Sequence, residues 1–285
     1  MSPRRNPLLA AALAACFLLQ GCTNGAEQSP PAAGNAEKKE ATVGATTVKP
    51  AEEETIWDEE ALRNDTGKIV LKSLTNAKTG AFHATVAIVS KSGTAIIADP
   101  YSIPMQDGVP IADLVTVSHR HPDHIDAKFV QQTKAKLSVA KAGESFKVGD
   151  VTVTSVPAAH DSAYDPAIPT NVIYIFETDG VRIAHLGDLG QDMLTDEQLR
   201  AIGQVDIAFT ALDGLSQYGR SAEKSIQALK QLHPAVIAAT HYEASTVETV
   251  LDALHITEKT ETEALAIDRA AIDRLGDMQM YVMLK

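Results

Sequence analysis

Ser118-His119-Arg120-His121-Pro122-Asp123-His124 follows the apolar run Leu114–Val117 and precedes a helical period that begins at Ala127. The segment therefore sits where a buried strand emerges and turns toward a helix. Three imidazoles and a carboxylate lie between residues 119 and 124. A bland core rarely buries that much polarity, and a solvated loop has no need of it. Borderline divalent metals, in contrast, take imidazole and carboxylate ligands together. His119 and His121 alternate in an extended chain, so both reach one side. Asp123 and His124, at the turn, reach a neighbouring position. Two adjacent ion sites are geometrically reasonable from this segment alone.

Outward from it, short β-branched runs alternate with turn signals. The expected strands are 69–74, 85–89, 95–98, 114–117, 137–140, 151–156, 172–177, 181–185, 207–210, 236–239 and 280–283. Helical periodicity marks 127–133, 195–202, 222–232 and 247–254. Early strands are hairpin-spaced and later ones alternate with helices. Two sheets with helices on their outer faces accommodate that order in one domain over residues 68–285.

The His119, His121, Asp123, His124 pattern resembles the HxHxDH signature of the metallo-β-lactamase superfamily. The resemblance continues through Val156-Pro157-Ala158-Ala159-His160, Ala184-His185-Leu186-Gly187-Asp188 and Ala238-Ala239-Thr240-His241, each at the end of an expected strand. It implies an α/β fold: a four-layer αββα sandwich of two mixed β-sheets flanked by helices. It implies further that His119, His121 and His160 bind one divalent ion and that Asp123, His124 and His241 bind a second, with Asp188 bridging. The ions would be Zn2+, with Mn2+ or Fe2+ as alternatives. A hydroxide held between them is a nucleophile at neutral pH, and Asp123 could orient it as well as ligate. Phe82-His83-Ala84, Ile96-Ile97-Ala98-Asp99-Pro100 and Thr240-His241-Tyr242 resemble the branch that holds the ascorbate-6-phosphate lactonases and the lactamase-like metal-dependent hydrolases. The short interval from His124 to His160 points to a compact member.

Other residues are read more openly. Asp99, after a buried strand, either holds the free N–H of a ligand imidazole or caps a turn. His83 either lines the site or packs beneath it. His185, on an alternating strand, reads as a core histidine that finds its own partners, and His233 and His255 as structural or surface residues. Tyr164, Tyr218, Arg220 and Tyr242 fall near expected site loops. Of these, Tyr218 and Arg220 are the candidates for positioning substrate or stabilising developing charge, and Arg220 favours an anionic small molecule.

The N-terminal 21 residues carry Arg4 and Arg5, no acid, and an apolar run from Leu8 to Leu19 too short to span a bilayer. This is the pattern of a signal peptide. Its end, Leu19-Gln20-Gly21-Cys22, resembles a bacterial lipobox, which implies cleavage before Cys22 and acylation of its thiol. Cys16 would leave with the signal, so cysteine usage would report attachment rather than disulfides. Residues 22–67 read as a lipidated cysteine and a flexible acidic tether, with Ser-Pro-Pro, Ala and Gly residues, one aromatic in Trp57, and a short helix expected around 54–63; the alternative is that its last dozen residues, with Trp57, pack as an N-terminal strand or helix. Such a chain reaches roughly 35–40 Å on average. The whole sequence has 37 acidic and 25 basic side chains, a net charge of −12, and the excess deepens to −14 once Arg4 and Arg5 are removed. An acidic surface repels nucleic acid and anionic headgroups, so contact with a membrane would come through acyl chains. The expectation is a membrane-anchored, dinuclear-metal hydrolase on the extracytoplasmic side of the bacterial envelope. Its substrate would be a lactone, phosphoester or amide; the alternative is a non-catalytic metal-binding envelope lipoprotein on the same scaffold.

Overall fold

The computed structural model describes residues 55–75, 85–161, 163–212, 222–242 and 244–283. In chain order the strands of the first half are β1 (Trp57–Asp58), β2 (Ile69–Ser73), β3 (Val86–Val89), β4 (Ala95–Ala98), β5 (Val109–Pro110), β6 (Leu114–Val117), β7 (Lys136–Val139) and β8 (Ser145–Val148). Those of the second half are β9 (Val151–Ala158), β10 (Asn171–Thr178), β11 (Val181–His185), β12 (Ile207–Leu212), β13 (Val236–Tyr242), β14 (Lys259–Thr262), β15 (Ala264–Ile267) and β16 (Gln279–Met283). The helices are α1 (Ala127–Gln132), α2 (Asp196–Ile202), α3 (Ala222–Leu232), α4 (Ala244–Leu254) and α5 (Arg269–Ile272).

Among the described residues these strands form one mixed sheet of order β15-β2-β3-β4-β6-β7 and another of order β14-β16-β13-β12-β11-β10-β9-β8. Both faces of each sheet are covered, and the sequence shows why. On β4 and β6, Ile96 and Leu114 face the other sheet, while their neighbours Ile97 and Val115 face outward toward Phe129 of α1. On β12 and β13, Phe209 and Ala238 face inward, while Ala208 and Ile237 face Ile202, Ile226 and Leu229 of the outer helices. The period of two places apolar residues on both faces, so the strands read as unbroken hydrophobic runs. The result is the expected α/β sandwich, with helices over the outer face of each sheet.

Strand direction sets where chemistry can be displayed. β4 and β6 are parallel, as are β11, β12 and β13. β9 is antiparallel to β10, which is antiparallel to β11, so β9 runs with β11. In each sheet the chain therefore leaves these strands at one edge, where ligands of open α/β sheets collect.

One expectation changes. The helix expected over 54–63 is replaced by β1, which pairs in parallel with β5, and by a turn in which Asp58 Oδ1 accepts from Glu60 N at 3.0 Å and Ala61 N at 2.9 Å. An aspartate two or three residues before a free amide competes with helix in this way. The packing left open for the last dozen residues of the tether is the one seen: Leu62 is 7% exposed within the apolar cluster of Leu74, Val89 and Phe129. Asn64 Nδ2 donates to Lys68 O and Ser90 O, each at 2.8 Å. The packed region thus reaches back to Trp57, whose ring also receives Lys134 Nζ at 4.3 Å from its centroid.

Candidate metal centre

β6 delivers Ser118 and His119 at its carboxyl end, and the chain then turns through a single 3-10 turn, Pro122–His124. Proline at the start of that turn has the φ it needs and lacks the amide that would be left over. Asp126 next caps α1 by accepting from Phe129 N at 3.0 Å. The local sequence therefore fixes the angle between His119 and His121 on one side and Asp123 and His124 on the other.

Three more elements bring the remaining residues to the same edge. His160 follows β9, Asp188 follows β11, and His241 lies in the last turn of β13. Ligand atoms of His119, His121 and His160 lie within 4.8 Å of one another; so do those of His119, His124 and Asp188, and those of Asp123, His124 and His241. The seven residues assigned to metal by resemblance are therefore together in space. Asp188 Oδ2 stands 3.3 Å from His124 Nε2, 3.6 Å from His160 Nε2 and 3.7 Å from His119 Nε2. His241 Nε2 is 3.5 Å from Asp123 Oδ2. The centre is deeply set: His119, His124, His160, Asp188 and His241 are buried, His121 is exposed, and Asp123 is half-exposed.

Asp99 sits behind this cluster with φ 48, a left-handed conformation that aspartate tolerates better than most residues. Its Oδ1 accepts from Ser118 N at 2.6 Å, and its Oδ2 accepts from Ser118 Oγ at 2.6 Å and lies 2.7 Å from His124 Nδ1. Of the two readings left open by the sequence, the carboxylate behind an imidazole is the one the geometry matches. Ser118 Oγ spends its one proton on Asp99, so at 3.0 Å it accepts from His119 Nδ1. Both rings are thereby held as the tautomer protonated at Nδ1, which leaves each Nε2 as the acceptor, that of His119 3.1 Å from His121 Nδ1 and that of His124 3.3 Å from Asp188 Oδ2. Ser118 was quoted in the sequence without a role; only its contacts reveal one.

Burial, and next the neighbouring His124, pushes the His119 imidazole down to about 2. It is neutral at physiological pH, the state a metal requires. The hydrogen bond from His241 holds the Asp123 carboxyl well below the usual carboxylate range. Imidazole nitrogens and carboxylate oxygens together form a donor set suited to borderline divalent ions. Gly187, at φ 56, lets the chain pass where a Cβ would meet Asn171 Oδ1 at 2.5 Å and Ser118 Cβ at 2.6 Å.

The other candidates divide. His185 is a fully buried core residue near Phe209, its Nδ1 is 4.0 Å from Asp99 Oδ2, and burial lowers its pKa. It was expected to find its own hydrogen bonds; neither ring nitrogen has a partner among the described residues. His233 and His255 are exposed, each at positive φ just past the end of a helix and away from the centre. Tyr164 and Tyr242 carry pKa values raised chiefly by burial. Cys22, His83, Tyr218 and Arg220 lie outside the described residues.

The sequence profile of the beta-lactamase superfamily domain matches residues 81–241. A UPF0173 protein of Pyrococcus abyssi is 27% identical over 180 residues, covering 56% of this chain and 80% of the relative. A UPF0173 metal-dependent hydrolase of Thermococcus onnurineus is 30% identical over 155 residues, covering 46% of this chain and 67% of the relative. Among solved structures, one from Thermotoga maritima, described as a Zn-dependent hydrolase of the metallo-beta-lactamase superfamily, matches with TM-score 0.55 at 22% identity, over 75% of this chain and 98% of that one. A metal-dependent hydrolase structure from Parabacteroides distasonis matches with TM-score 0.54 at 19% identity, over 76% and 94%. At these identities the two structures speak for the fold.

Proposed function

Because the chain belongs to the beta-lactamase superfamily and, within it, to the UPF0173 family of metal-dependent hydrolases, we propose that it hydrolyses a small molecule at a dinuclear metal centre. The observation that carries this reading is the place of Asp188 Oδ2, 3.3 Å from His124 Nε2 and 3.6 and 3.7 Å from those of His160 and His119. One carboxylate oxygen faces imidazoles of both candidate triads. In this reading His119, His121 and His160 hold one ion, Asp123, His124 and His241 hold the other, and Asp188 serves both.

Divalent ions there, Zn2+ first with Mn2+ or Fe2+ as alternatives, supply Lewis acidity and bring the pKa of bound water toward ~7. The protein's own part is to aim and to exclude. Asp99 and Ser118 fix the ring orientations of His124 and His119, so no reorganisation is needed when substrate arrives. Asp123, ionised and half-exposed at the mouth, is placed to accept a hydrogen bond from the attacking water and orient it. The buried walls around His119, His160 and His241 keep the local dielectric low, which strengthens every interaction with developing charge. Tyr218 and Arg220 are assigned to the substrate, with Arg220 selecting an anionic group.

The bond cleaved is that of a lactone, a phosphoester or an amide. The chain is held at the cell envelope, facing outward from the cytoplasm, through acylated Cys22 and the acidic segment after it. A Cys22→Ser variant would then move from the membrane fraction to the soluble one. The deciding experiment is an activity panel of lactones, phosphodiesters, thioesters and β-lactams with the metal-loaded chain, and His121→Ala as control. Turnover of one class that the variant loses supports the assignment; equal rates from both would overturn it.

A further inference from the structure

Two buried amides lie behind the centre, Gln191 at 2% and Gln198 at 1% exposed. They face each other as a reciprocal pair, Gln191 Nε2 donating to Gln198 Oε1 at 2.8 Å and Gln198 Nε2 to Gln191 Oε1 at 3.0 Å. Each uses its remaining valences on the main chain. Gln191 Oε1 accepts from Ala159 N at 3.1 Å and its Nε2 donates to Met193 O at 2.6 Å. Gln198 Oε1 accepts from Thr195 N at 2.9 Å and its Nε2 donates to Pro157 O at 2.8 Å. Each amide oxygen thus accepts twice and each nitrogen donates twice, so the pair carries no burial penalty.

The pair joins two segments that bear ligands. Pro157 and Ala159 lead directly into His160, and Gln191 follows Asp188 by three residues. Gly190 N donates to Ala159 O at 2.9 Å, and a Cβ at 190 would collide with the His160 carbonyl. From α3, Lys224 Nζ reaches Gly190 O at 2.6 Å. Ala159, the residue before His160, is thereby tied to the Asp188 loop through both its N–H and its C=O. None of these bonds involves Asp123, His124 or His241.

We infer that Gln191 and Gln198 are positioning residues for the ion assigned to His119, His121 and His160: they set His160 against Asp188, and the Asp123, His124 and His241 position stands without them. The inference rests on the dinuclear reading above. It differs from general packing in being one-sided, and that difference can be measured.

The test is Co2+ titration of the full chain in two backgrounds, alongside denaturant unfolding of each metal-free variant. His241→Ala leaves the His119, His121 and His160 position; adding Gln191→Met there weakens Co2+ binding by about 10–100-fold, the usual loss when an outer contact of a metal ligand is removed. His121→Ala leaves the other position, which shares Asp188 with the first but does not use His160, and the same addition weakens binding there by no more than about threefold. Gln198→Met shows the same asymmetry. Should a single variant fail to fold because its partner amide is stranded, the double Gln191→Met, Gln198→Met variant, which removes both amides together, carries the same prediction. Equal weakening in both backgrounds, or none in either, overturns the inference. A wild-type chain that takes up one equivalent or less overturns the dinuclear reading itself, a result distinct from symmetrical loss in the variants.

Discussion

His124 Nδ1 lies 2.7 Å from Asp99 Oδ2, with each side chain 1% exposed. A buried carboxylate this close to a buried imidazole fixes the tautomer and turns the opposite nitrogen toward Asp188. The same carboxylate accepts from Ser118 N and Ser118 Oγ, so one residue bears on two rings of the candidate centre, His124 directly and His119 through Ser118.

Asp99→Asn keeps the left-handed backbone, which asparagine also tolerates, but offers one acceptor oxygen where three donors converge. Its metal affinity should fall by about 10–100-fold, read by competition against a chromophoric chelator. Asp99→Ala should lose at least as much and lower folding stability as well. Unchanged affinity in Asp99→Asn would show that the carboxylate does not orient the ligands.

Gly190→Ala places a methyl inside the His160 carbonyl, a backbone group that cannot move aside cheaply. Urea unfolding of the metal-free protein should show a loss of about 1–3 kcal/mol or more, the usual range for overpacking. Gly276→Ala, where a Cβ meets nothing within 4 Å, should stay within about 0.5 kcal/mol. Similar values for the two would contradict the close approach.

Acid should destabilise the metal-free protein. His119 is held neutral down to about 2 and burial lowers His185, against a value of 6.5 for each when unfolded. Below pH 6.5 the unfolded chain therefore binds more protons, and stability falls as pH falls. Each such histidine adds up to ~1.4 kcal/mol per pH unit of slope. His185→Gln removes one of them, so its unfolding midpoint should fall less steeply between pH 7 and 5. An unchanged slope would mean that His185 is charged in the fold.

Arg220→Ala should raise KM for anionic substrates while leaving neutral ones near the wild-type value, read from paired kinetics on charged and uncharged members of one substrate class. An equal rise for both would remove the charge argument for an anionic substrate.

The fold was legible wherever burial on both faces forces an apolar run: β4, β6 and β11 begin and end where the sequence places them. It was not legible at the sheet edges. β14, Lys-Thr-Glu-Thr, is largely exposed, and β8 alternates exposed with half-buried residues; such strands are held by a neighbour's hydrogen bonds rather than by side chains that declare themselves. At the site, the clustering was legible because few uses other than metal binding bring five imidazoles and two carboxylates to strand ends. The supporting residues were not, since a buried glutamine looks like a surface glutamine until its partners are known. Thr195-x-x-Gln198 was the one available signal: the pattern of a capping box, which the structure contains at the start of α2. Even that signal points to a helix start and says nothing of Gln191.

The most direct test of the account is the metal content of the full chain after metal-replete expression, measured with its variants. Two equivalents of Zn2+, Mn2+ or Fe2+ per chain, falling to about one in both His121→Ala and His241→Ala and further in Asp188→Asn, is the result predicted by two triads sharing one carboxylate. One equivalent or less in the wild type, or full occupancy in all three variants, would contradict it.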